Sequence, residues 1–455
     1  MSTRPAEERI HDFFEVDLGV TEEEAVLEAS RCIGCKNPLC IHGCPVQIDI
    51  PAFIARVAMG DFIGAAEKIK EQNMLPAICG RVCPQETQCE ASCILGKKGE
   101  AIRIGQLERL VADIERKRGP KMPDVAKPSG KNVAVVGSGP AGLTASAELA
   151  KEGHHVTLYE SLHMPGGVLT YGIPAFRLPK DIVAFEILQV LSLGVQLRTN
   201  HFIGGSLSVH ELLSYDAVVL ATGAGLPYFM DIEGENLKGV FSANEFLTRV
   251  NLMHADKFPT YDTPVLKGKK VIVIGGGNVA MDGARVARRM GGAVTLVYRR
   301  REEDLPARLA EFHHAQEEGI SFVYCAAPTK ILGEKHVTGI ECIRMRMDIL
   351  DDSGRPNPVP IEGDLFTIEA DVVIGAIGQG PNPVLLRKID GLCLGRAGNV
   401  VTSQTGETSL TCVFAAGDAT TGAATVILAM GTAKRAAQTI NQKFRMEHTQ
   451  FSPNT

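Results

Sequence analysis

Two glycine-rich turns of the same kind, about 138 residues apart, constrain the fold of this 455-residue chain more than any other feature. The strand-like run VAVVG (133–137) leads into Gly137-Ser-Gly-Pro-Ala-Gly142, a helical segment and a second strand-like run, HVTLYE (155–160). Residues 271–299 repeat this order. A βαβ unit opened by such a turn is typical of doubly wound, dinucleotide-binding sheets. The sequence therefore predicts an α/β protein with two dinucleotide-binding domains.

The first turn has every part that a dinucleotide site requires. Gly137 permits the tight turn, Gly139 lets the backbone approach a pyrophosphate, and Gly142 lets the helix pack on the strand. Glu160 ends the second strand, where a carboxylate can accept bonds from ribose hydroxyls. A chance glycine-rich turn is the alternative, which the complete strand–helix–strand–acid order disfavours. The predicted binding residues here are Gly137, Gly139, Pro140, Ala141, Gly142 and Glu160.

The second turn is followed by basic residues where the first unit has an acid. Its strand ends in Tyr298-Arg-Arg-Arg301, and arginines suit a ribose 2′-phosphate, whereas an acid suits a free hydroxyl. We therefore expect NADP(H) rather than NAD(H). The alternative is that these arginines form a solvated basic turn without a ligand. For Arg301 the sequence favours neither interpretation. The predicted binding residues here are Gly275, Gly277, Asn278, Val279, Ala280, Arg299 and Arg300.

Eight of the twelve cysteines fall within the first 93 residues, in two runs. The runs are C-x2-C-x4-C-x3-C (32–44), followed by proline, and C-x3-C-x5-C-x3-C (79–93). Dense thiols with a Cys-Pro step resemble the ferredoxin manner of binding iron–sulfur clusters, in which the fourth cysteine of a run serves the other cluster. A disulfide framework is disfavoured because the chain has no secretion signal. Zinc knuckles remain an alternative, since C-x2-C pairs also bind zinc.

Composition excludes several classes of function. The formal net charge is −6, which argues against nucleic-acid partners and anionic membranes. We find no apolar run of the ~18 residues that span a bilayer, and the charged N-terminus does not resemble a signal peptide. We therefore expect a cytoplasmic protein without nucleic-acid or membrane partners, in a compartment where thiolates persist.

The organisation of the chain follows from these signals. A Pro/Gly-rich stretch (119–130) separates a helical part from the first βαβ unit. Two dinucleotide sites in one chain suggest a flavin reductase, with FAD in the first and a nicotinamide nucleotide in the second. The predicted units are a helical iron–sulfur domain (1–120), the first part of an FAD domain (131–250), an NADP(H) domain (262–375) and the return of the FAD domain (376–445).

Residues 131–440 resemble the flavoprotein disulfide reductase superfamily. The resemblance is carried by the GGV turn (166–168) and by FAAGDATTGAATVILAMG (414–431), which includes the AAGD segment. It implies that the acid of AAGD binds the FAD ribityl chain. The nicotinamide domain has no C-x-x-C, so we expect the electrons to leave by another route than a dithiol. The cofactor residues that the resemblance adds are Gly167, Val168, Gly378, Gly417, Asp418, Ala424, Thr425 and Val426.

With the cysteine-rich head included, nearly the whole chain resembles the family of the NADPH-dependent glutamate synthase small subunit. This family includes the large subunit of NADH-dependent reduced ferredoxin:NADP oxidoreductase and shares its module with dihydropyrimidine dehydrogenase. Further matching segments are CGRVCPQETQCEASC (79–93), PGGVLTYGIPAFRLPK (165–180) and SANEFLTRVN (242–251).

The family implies a function of electron transfer. A subunit of this kind exchanges hydride with NADP(H) on FAD and passes single electrons through two [4Fe-4S] clusters. The implied partner is the glutamate synthase large subunit. In the alternative, the partner is a small NAD-binding flavoprotein resembling ferredoxin-NADP reductase, and ferredoxin is a further acceptor.

The resemblance also implies ligands that interleave the two cysteine runs. One cluster takes Cys32, Cys35, Cys40 and Cys93; the other takes Cys44, Cys83, Cys89 and Glu108. Glu108 stands where dihydropyrimidine dehydrogenase has a glutamine; an exposed helix acid is its alternative. Cys79 is left over as a structural thiol. Arg177 matches an arginine beside the flavin, with a surface ion pair as the alternative. No general acid or nucleophile is expected, because the cofactors carry the chemistry.

Overall fold

The computed structural model describes residues 2–264, 269–350 and 354–450. They form a helical head, two five-stranded parallel sheets and a smaller antiparallel sheet. The predicted fold class, a helical iron–sulfur head followed by two doubly wound domains, is confirmed. No helix in the described ranges is long and apolar enough to cross a membrane.

The head is an α-helical unit with a short antiparallel ribbon. Thr21 and Glu24 form the capping box that the sequence predicts at the start of α2, and α7 ends before Gly119, also as predicted. Between Arg118 and Asn132 the chain runs without helix or strand. The elements are β1 (Ser2–Thr3), α1 (Ala6–Arg9), β2 (Asp17–Gly19), α2 (Glu22–Ser30), α3 (Leu39–His42), α4 (Ile50–Ala58), α5 (Phe62–Lys70), α6 (Pro76–Val82) and α7 (Ile104–Arg118).

The first nucleotide sheet begins at β3, and its central strands β3, β4 and β6 are buried except for the first residue of β3 and of β4, as is typical of a parallel sheet covered on both faces. Helix α8 follows the first glycine turn directly and is almost wholly buried. The elements in this part are β3 (Asn132–Val136), α8 (Pro140–Lys151), β4 (His155–Tyr159), α9 (Val168–Tyr171), α10 (Lys180–Ser192), β5 (Gln196–Arg198), α11 (Val209–Leu212), β6 (Ala217–Leu220) and β7 (Leu226–Pro227).

The second nucleotide sheet has the strand order β11-β10-β9-β15-β8, all parallel. Its helix α13 follows the second glycine turn, as the sequence predicts. The elements are β8 (Val240–Ser242), α12 (Ala243–Asn251), β9 (Lys270–Ile274), α13 (Asn278–Arg289), β10 (Ala293–Tyr298), α14 (Leu309–Glu317), β11 (Ser321–Tyr324), β12 (Ala326–Leu332), β13 (Gly339–Leu350), β14 (Pro356–Glu369) and β15 (Val372–Gly375).

Two features of this region differ from the sequence prediction. Strand β8 pairs with β15, and the apolar face of α12 shares the core of the second sheet, although the predicted FAD segment extends to residue 250. In addition, β12, β13 and β14 form a three-stranded antiparallel sheet that the sequence analysis does not predict. Strand β14 is largely exposed and β12 is mostly half-buried, so this sheet lacks the continuous apolar runs that mark buried parallel strands.

The C-terminal part returns to the first sheet. Its short β16 pairs antiparallel with β7 and links the two nucleotide domains. Strand β17 completes the order β17-β6-β3-β4-β5, and α17 packs along α8. The elements are β16 (Gln379–Gly380), α15 (Pro383–Leu386), β17 (Val413–Ala415), α16 (Asp418–Thr421) and α17 (Val426–Gln450).

The head contacts both nucleotide domains. One continuous core joins Ile54 and Leu107 of the head to Val135 of β3 and Leu149 of α8 in the first nucleotide domain. From the N-terminal segment, the buried guanidinium of Arg9 reaches the second domain, where its Nε donates to Glu318 at 2.8 Å. The head is therefore an integral part of the molecule rather than a tethered module.

Candidate functional site: a two-nucleotide cavity beside two thiol sets

Both glycine turns open onto one cavity of about 1040 Å³ between the two parallel sheets. Its volume is at the upper end of the range of about 300–1,000 Å³ for ligand sites, and it is lined by residues of both glycine turns. Gly142 and Ala280 do not line it and lie behind the turns instead. The predicted cofactor residues that line it are Gly137, Gly139, Pro140, Ala141, Glu160, Gly167, Val168, Arg177, Gly275, Gly277, Asn278, Val279, Arg299, Arg300, Gly378, Gly417, Asp418, Ala424, Thr425 and Val426.

The two turns have the same local geometry. A Cβ on Gly137 or Gly275 would meet a carbonyl oxygen at 2.3 Å, and both residues have φ beyond +100°. A Cβ on Gly139 or Gly277 would meet nothing within 4 Å. Because both residues line the cavity, each leaves an open cradle at a helix N-terminus, where a pyrophosphate fits.

Gly142 explains why the helix can lie so close to the strand. A Cβ there would stand 1.7 Å from the carbonyl oxygen of Gly137. The third glycine of the first turn therefore allows the helix to pack on the strand and does not contact a ligand, which is the role that the sequence analysis gives it.

Glu160 lies at the carboxyl end of β4, buried at the cavity wall. Its Oε2 accepts from the backbone N–H of Ser138 at 3.1 Å, and its Oε1 accepts from the N–H of Leu162 at 2.9 Å. The carboxylate is therefore held in place by the turn itself and presents its edge to the cavity.

The far side of the first site contains two buried oxygens that lack partners. The Oδ1 of Asp418 and the Oγ1 of Thr222 have no hydrogen-bond partner in the described part of the chain, and both residues line the cavity. Burial raises the pKa of Asp418 to about 6. Unpartnered buried polar atoms are rare unless a ligand completes them, so this wall fits the polar chain of a flavin dinucleotide.

The GGV turn and the AAGD segment both lie close to the first glycine turn. A Cβ on Gly167 would lie 2.8 Å from the Cα of Gly139, and one on Gly417 would lie 2.8 Å from the Cβ of Ala141. The GGV turn and the AAGD segment thus border the first glycine turn, as the family resemblance implies.

Arg177 lies at the junction of the two nucleotide domains. Its Nη1 donates to both carboxylate oxygens of Asp282, at 2.8 and 2.7 Å, and its Nε lies 3.1 Å from Oε1 of Glu311. Burial opposes the charge, yet the two carboxylates raise the pKa of Arg177 above its ordinary value. It therefore lines the cavity as a buried ion-pair partner, not as the surface residue of the alternative interpretation.

The aromatic neighbour of Arg177 strengthens this junction. The ring of Phe176 lies under two guanidinium groups of α13, with its centroid 4.6 Å from Cζ of Arg285 and 3.9 Å from Cζ of Arg289. Cation–π contacts of this geometry gain strength when desolvated. The segment 176–177 of the first domain is thus inserted into the second.

A second cavity, of about 330 Å³, lies in the head. Cys32, Cys35, Cys40 and Cys93 all line it, and these are the four ligands that the family resemblance assigns to one cluster. All four are only partly buried. Burial nevertheless raises the pKa of Cys40 to about 11. Four thiols around one space fit an iron–sulfur cluster.

The other thiol set is buried. Cys44, Cys83 and Cys89 lie in the core of the head, and Glu108 is 6% exposed. Burial raises the pKa of Cys89, and the nearby Glu108 and Cys44 add to the effect. Glu108 accepts from Nδ2 of Asn73 at 2.9 Å. These four groups are neighbours, and Glu108 is not the exposed helix acid of the alternative interpretation.

Cys79 lies beside this set but faces another element. Its Sγ is 3.6 Å from Sδ of Met430 on α17, and both side chains are fully buried. It also contacts Cys83. The contact with Met430 agrees with a structural thiol, and the contact with Cys83 leaves ligation open.

No group of three His, Cys, Asp or Glu side chains in the described ranges converges on a point that would hold a single metal ion. An iron–sulfur cluster is wider than one ion, and its ligands surround a space rather than a point. The cavity that four cysteines line is a space of this kind.

The buried thiol set adjoins the nucleotide cavity. Val82 and Pro84, the two neighbours of Cys83, line that cavity. On the opposite side, Ala429 lines the cavity while the next residue, Met430, touches Cys79. Residues adjacent in sequence to Cys83 and to Met430 thus form part of the wall of the nucleotide cavity.

The sequence analysis did not predict four residues at the site. Asp282 and Glu311 hold Arg177, and Arg308 binds the head; all three stand on or beside helices of the second domain. Arg355 also lines the nucleotide cavity. The arginines after β10 are a sequence signal for this region. The sequence does not show that the three-stranded antiparallel sheet packs against them.

The fold and the site define a flavoprotein oxidoreductase with one nucleotide site on each parallel sheet and an iron–sulfur head. The chain belongs to the pyridine nucleotide-disulphide oxidoreductase family, which residues 131–439 match, and within it to the group that includes the glutamate synthase [NADPH] small chains. Residues 9–120 match the family described as dihydropyrimidine dehydrogenase domain II, 4Fe-4S cluster. It is an NADP(H)-dependent FAD and iron–sulfur electron-transfer subunit.

Curated relatives resemble the chain over most of its length. It is 36% identical to the glutamate synthase [NADPH] small chain of Azospirillum brasilense, covering 96% of this chain and 93% of that protein. The Escherichia coli small chain is 34% identical, covering 96% and 95%. The NADP(+)-dependent formate dehydrogenase subunit beta of Moorella thermoacetica is 38% identical, but the 90% of this chain that matches spans only 60% of that protein.

Solved structures share the fold at low identity. FprA of Mycobacterium tuberculosis in complex with NADPH matches 72% of this chain and 88% of its own, with a TM-score of 0.60 and 21% identity. Thioredoxin reductase of Lactococcus lactis matches 70% and 99%, with a TM-score of 0.51 and 21% identity. These neighbours show the two-domain fold alone.

Proposed function

We propose that the chain takes hydride from NADPH on FAD and delivers single electrons through two [4Fe-4S] clusters to a glutamate synthase large subunit. The single observation that carries this proposal is the position of Val82 and Pro84, which flank Cys83 and line the nucleotide cavity. The thiol-bearing head is thereby in direct contact with the space that fits the flavin. When bound, FAD accepts two electrons together and releases them singly, which is the chemistry that a nicotinamide and a cluster each require.

The residues of each site have separate roles in this proposal. Gly139 leaves room for the FAD pyrophosphate, Glu160 meets the ribose, and Asp418 meets the ribityl chain. Gly277 leaves room for the pyrophosphate of NADP(H), and the basic end of β10 attracts its 2′-phosphate. Asp282 and Glu311 hold Arg177 between the two domains, which fixes how the sites face each other.

The two thiol sets suggest a direction of travel. The set with Cys44, Cys83, Cys89 and Glu108 is buried and adjoins the nucleotide cavity. The set with Cys32, Cys35, Cys40 and Cys93 is partly exposed. We infer that electrons enter the head at the buried set and leave it at the exposed set, where a partner can approach.

The partner is assigned from the relatives. Similarity to glutamate synthase small chains over 96% of this chain supports a large subunit that makes glutamate from glutamine and 2-oxoglutarate. The experiment is an anaerobic assay in which the holoprotein, NADPH, glutamine and 2-oxoglutarate are combined with a glutamate synthase large subunit. Glutamate that forms in step with NADPH oxidation is the expected result.

Matched thiol variants test the route. Cys35→Ser should leave NADPH bleaching of the flavin intact while stopping glutamate formation, because the exposed thiol set is lost. Cys412→Ser, at an exposed thiol outside the head, is the control and should change neither. Undiminished glutamate formation by the Cys35 variant would exclude the proposed exit. NADH-dependent ferredoxin reduction with a small NAD-binding flavoprotein, without glutamate, would assign the chain to the alternative complex.

A further inference from the structure

The end of β10 directs its two arginines to different surroundings. Arg299 is exposed, whereas the next residue, Arg300, is only 3% exposed. Both arginines lie in the bend that follows β10, and only the first of them is exposed. The two guanidinium groups therefore do not form a simple pair on one face, although both residues line the nucleotide cavity.

Arg300 holds the three-stranded antiparallel sheet. Its Nε donates to the carbonyl oxygen of Pro356 at 2.8 Å, and its own carbonyl oxygen accepts from the N–H of Cys325 at 3.0 Å. The carbonyl oxygen of Cys325 in turn accepts from the N–H of Met345 at 2.8 Å. One buried arginine thus fixes the start of β14 against the end of β10.

This attachment brings another arginine to the cavity. Arg355 immediately precedes Pro356, is partly buried and lines the same cavity as Arg299. Three residues of β12, Ala326, Ala327 and Pro328, line the cavity as well. The antiparallel sheet therefore forms part of the wall of the second nucleotide site and is not a remote appendage.

We propose that Arg355 supplies the second guanidinium group for the ribose 2′-phosphate, together with Arg299, and that Arg300 is a positioning residue. This inference rests on the proposed use of NADP(H). A phosphomonoester dianion has three acceptor oxygens and is bound most firmly by planar guanidinium groups that approach from different directions. Arg299, after β10, and Arg355, before β14, reach the cavity from two different elements and so provide two such directions.

The three-stranded antiparallel sheet contains a second arginine that serves as a matched control for Arg355. Arg346 belongs to the same antiparallel sheet, is exposed, and has its Nη1 3.2 Å from Oδ2 of Asp348, and it does not line the cavity. Arg355→Ala and Arg346→Ala remove the same group from the same sheet. Calorimetric titration of each FAD-loaded protein with 2′,5′-ADP and with 5′-AMP measures the 2′-phosphate contribution directly.

The expected result is selective. Arg355→Ala should weaken 2′,5′-ADP binding by about tenfold to a hundredfold, since charge-assisted hydrogen bonds are lost, with 5′-AMP binding changed by less than about twofold. Arg346→Ala should change neither. Arg300→Ala should weaken 2′,5′-ADP binding through Arg355, and Arg300→Lys, which can still donate to Pro356, should restore part of it.

Two failures are distinguishable. If the unaltered protein binds 2′,5′-ADP no more tightly than 5′-AMP, the proposed NADP(H) preference is wrong. If the preference exists, and Arg299→Ala abolishes it while Arg355→Ala and Arg355→Gln leave it intact, the inference on Arg355 is overturned and the proposed function stands. Retention of the flavin spectrum shows that each variant is folded.

Discussion

Arg308 donates from Nη2 to Oε1 of Gln85 at 3.1 Å, and this contact joins the nicotinamide domain to the buried thiol set. Gln85 stands two residues after Cys83, and its Nε2 donates to the carbonyl oxygen of Cys79 at 3.2 Å. The backbone N–H of Arg308 donates to Oδ1 of Asn278 at 2.9 Å, at the start of the second nucleotide helix. A short chain of hydrogen bonds thus connects one nucleotide turn with one thiol run.

Removing this connection should loosen the thiol run without emptying the nucleotide sites. Arg308→Ala deletes the bonds to Gln85 and Glu86, a loss of about 1–2 kcal/mol of local stability for partly exposed charged contacts. We expect faster amide hydrogen exchange in residues 83–93 and unchanged FAD content. Arg301→Ala, at an exposed arginine paired with Asp304, is the control. Equal exchange in both variants would contradict the role of Arg308.

The two glycine cradles allow a paired test of which nucleotide binds where. Leucine at position 139 should fill the first cradle and yield protein lacking most of its FAD, because its Cβ points into open cavity. Leucine at position 277 should retain FAD and weaken NADPH binding by at least about tenfold. Flavin absorbance and calorimetry measure the two effects. Full FAD content in the Gly139 variant, or FAD loss in the Gly277 variant, would show that the sites are assigned incorrectly.

The eighth cluster ligand can be identified by iron content and electron paramagnetic resonance. If Glu108 is the ligand, Cys79→Ser should keep about eight irons per chain, and Glu108→Ala should disturb one cluster only. A carboxylate is a harder donor than a thiolate, so its removal should change the spectrum of the buried cluster. Loss of a cluster in the Cys79 variant, with two unchanged clusters in the Glu108 variant, would reverse the two roles.

His314 should make stability depend on pH below neutrality. The pKa of His314 is lowered from about 6.5 to about 4, first by burial and then by the charges of Arg285 and Arg9, while Glu311 and Glu317 oppose the shift. The folded state thus binds its proton less readily than the unfolded state, so stability is complete above about pH 6.5 and falls as the pH drops towards 4. The resulting decrease in the free energy of unfolding reaches at most about 3 kcal/mol.

Thermal unfolding between pH 7 and pH 5.5 tests this expectation. The melting temperature of the unaltered protein should fall across this window, and His314→Gln should flatten the fall. His313→Gln, at the exposed neighbouring histidine, is the control and should retain the slope. Equal slopes in all three proteins would remove His314 as the source.

The sequence predicted the parts of the site that depend on local pattern. Glycine spacing, the acid at the end of β4 and the basic end of β10 are short-range signals, because a turn, a helix and a strand fix their relative positions. The ligand interleaving of the two cysteine runs came from family resemblance, and the cavity that Cys32, Cys35, Cys40 and Cys93 share agrees with it.

The remainder depends on contacts between distant segments. Arg177 was expected beside the flavin, but its partners, Asp282 and Glu311, are more than a hundred residues away and belong to another domain. Arg355 comes to the cavity only because the buried Arg300 bonds to the carbonyl oxygen of Pro356. Residue propensity and hydrophobic periodicity cannot predict such contacts between distant residues, because the contacts form only when complete domains pack together.

The insertion of Phe176 and Arg177 into the second domain restricts how the protein can complete a catalytic cycle. Separating the two nucleotide domains would break the ion pairs of Arg177 with Asp282 and Glu311 and would expose the ring of Phe176 to water. These contacts oppose such a separation, so they favour a nucleotide that enters and leaves through the mouth of the cavity while the two domains remain in contact.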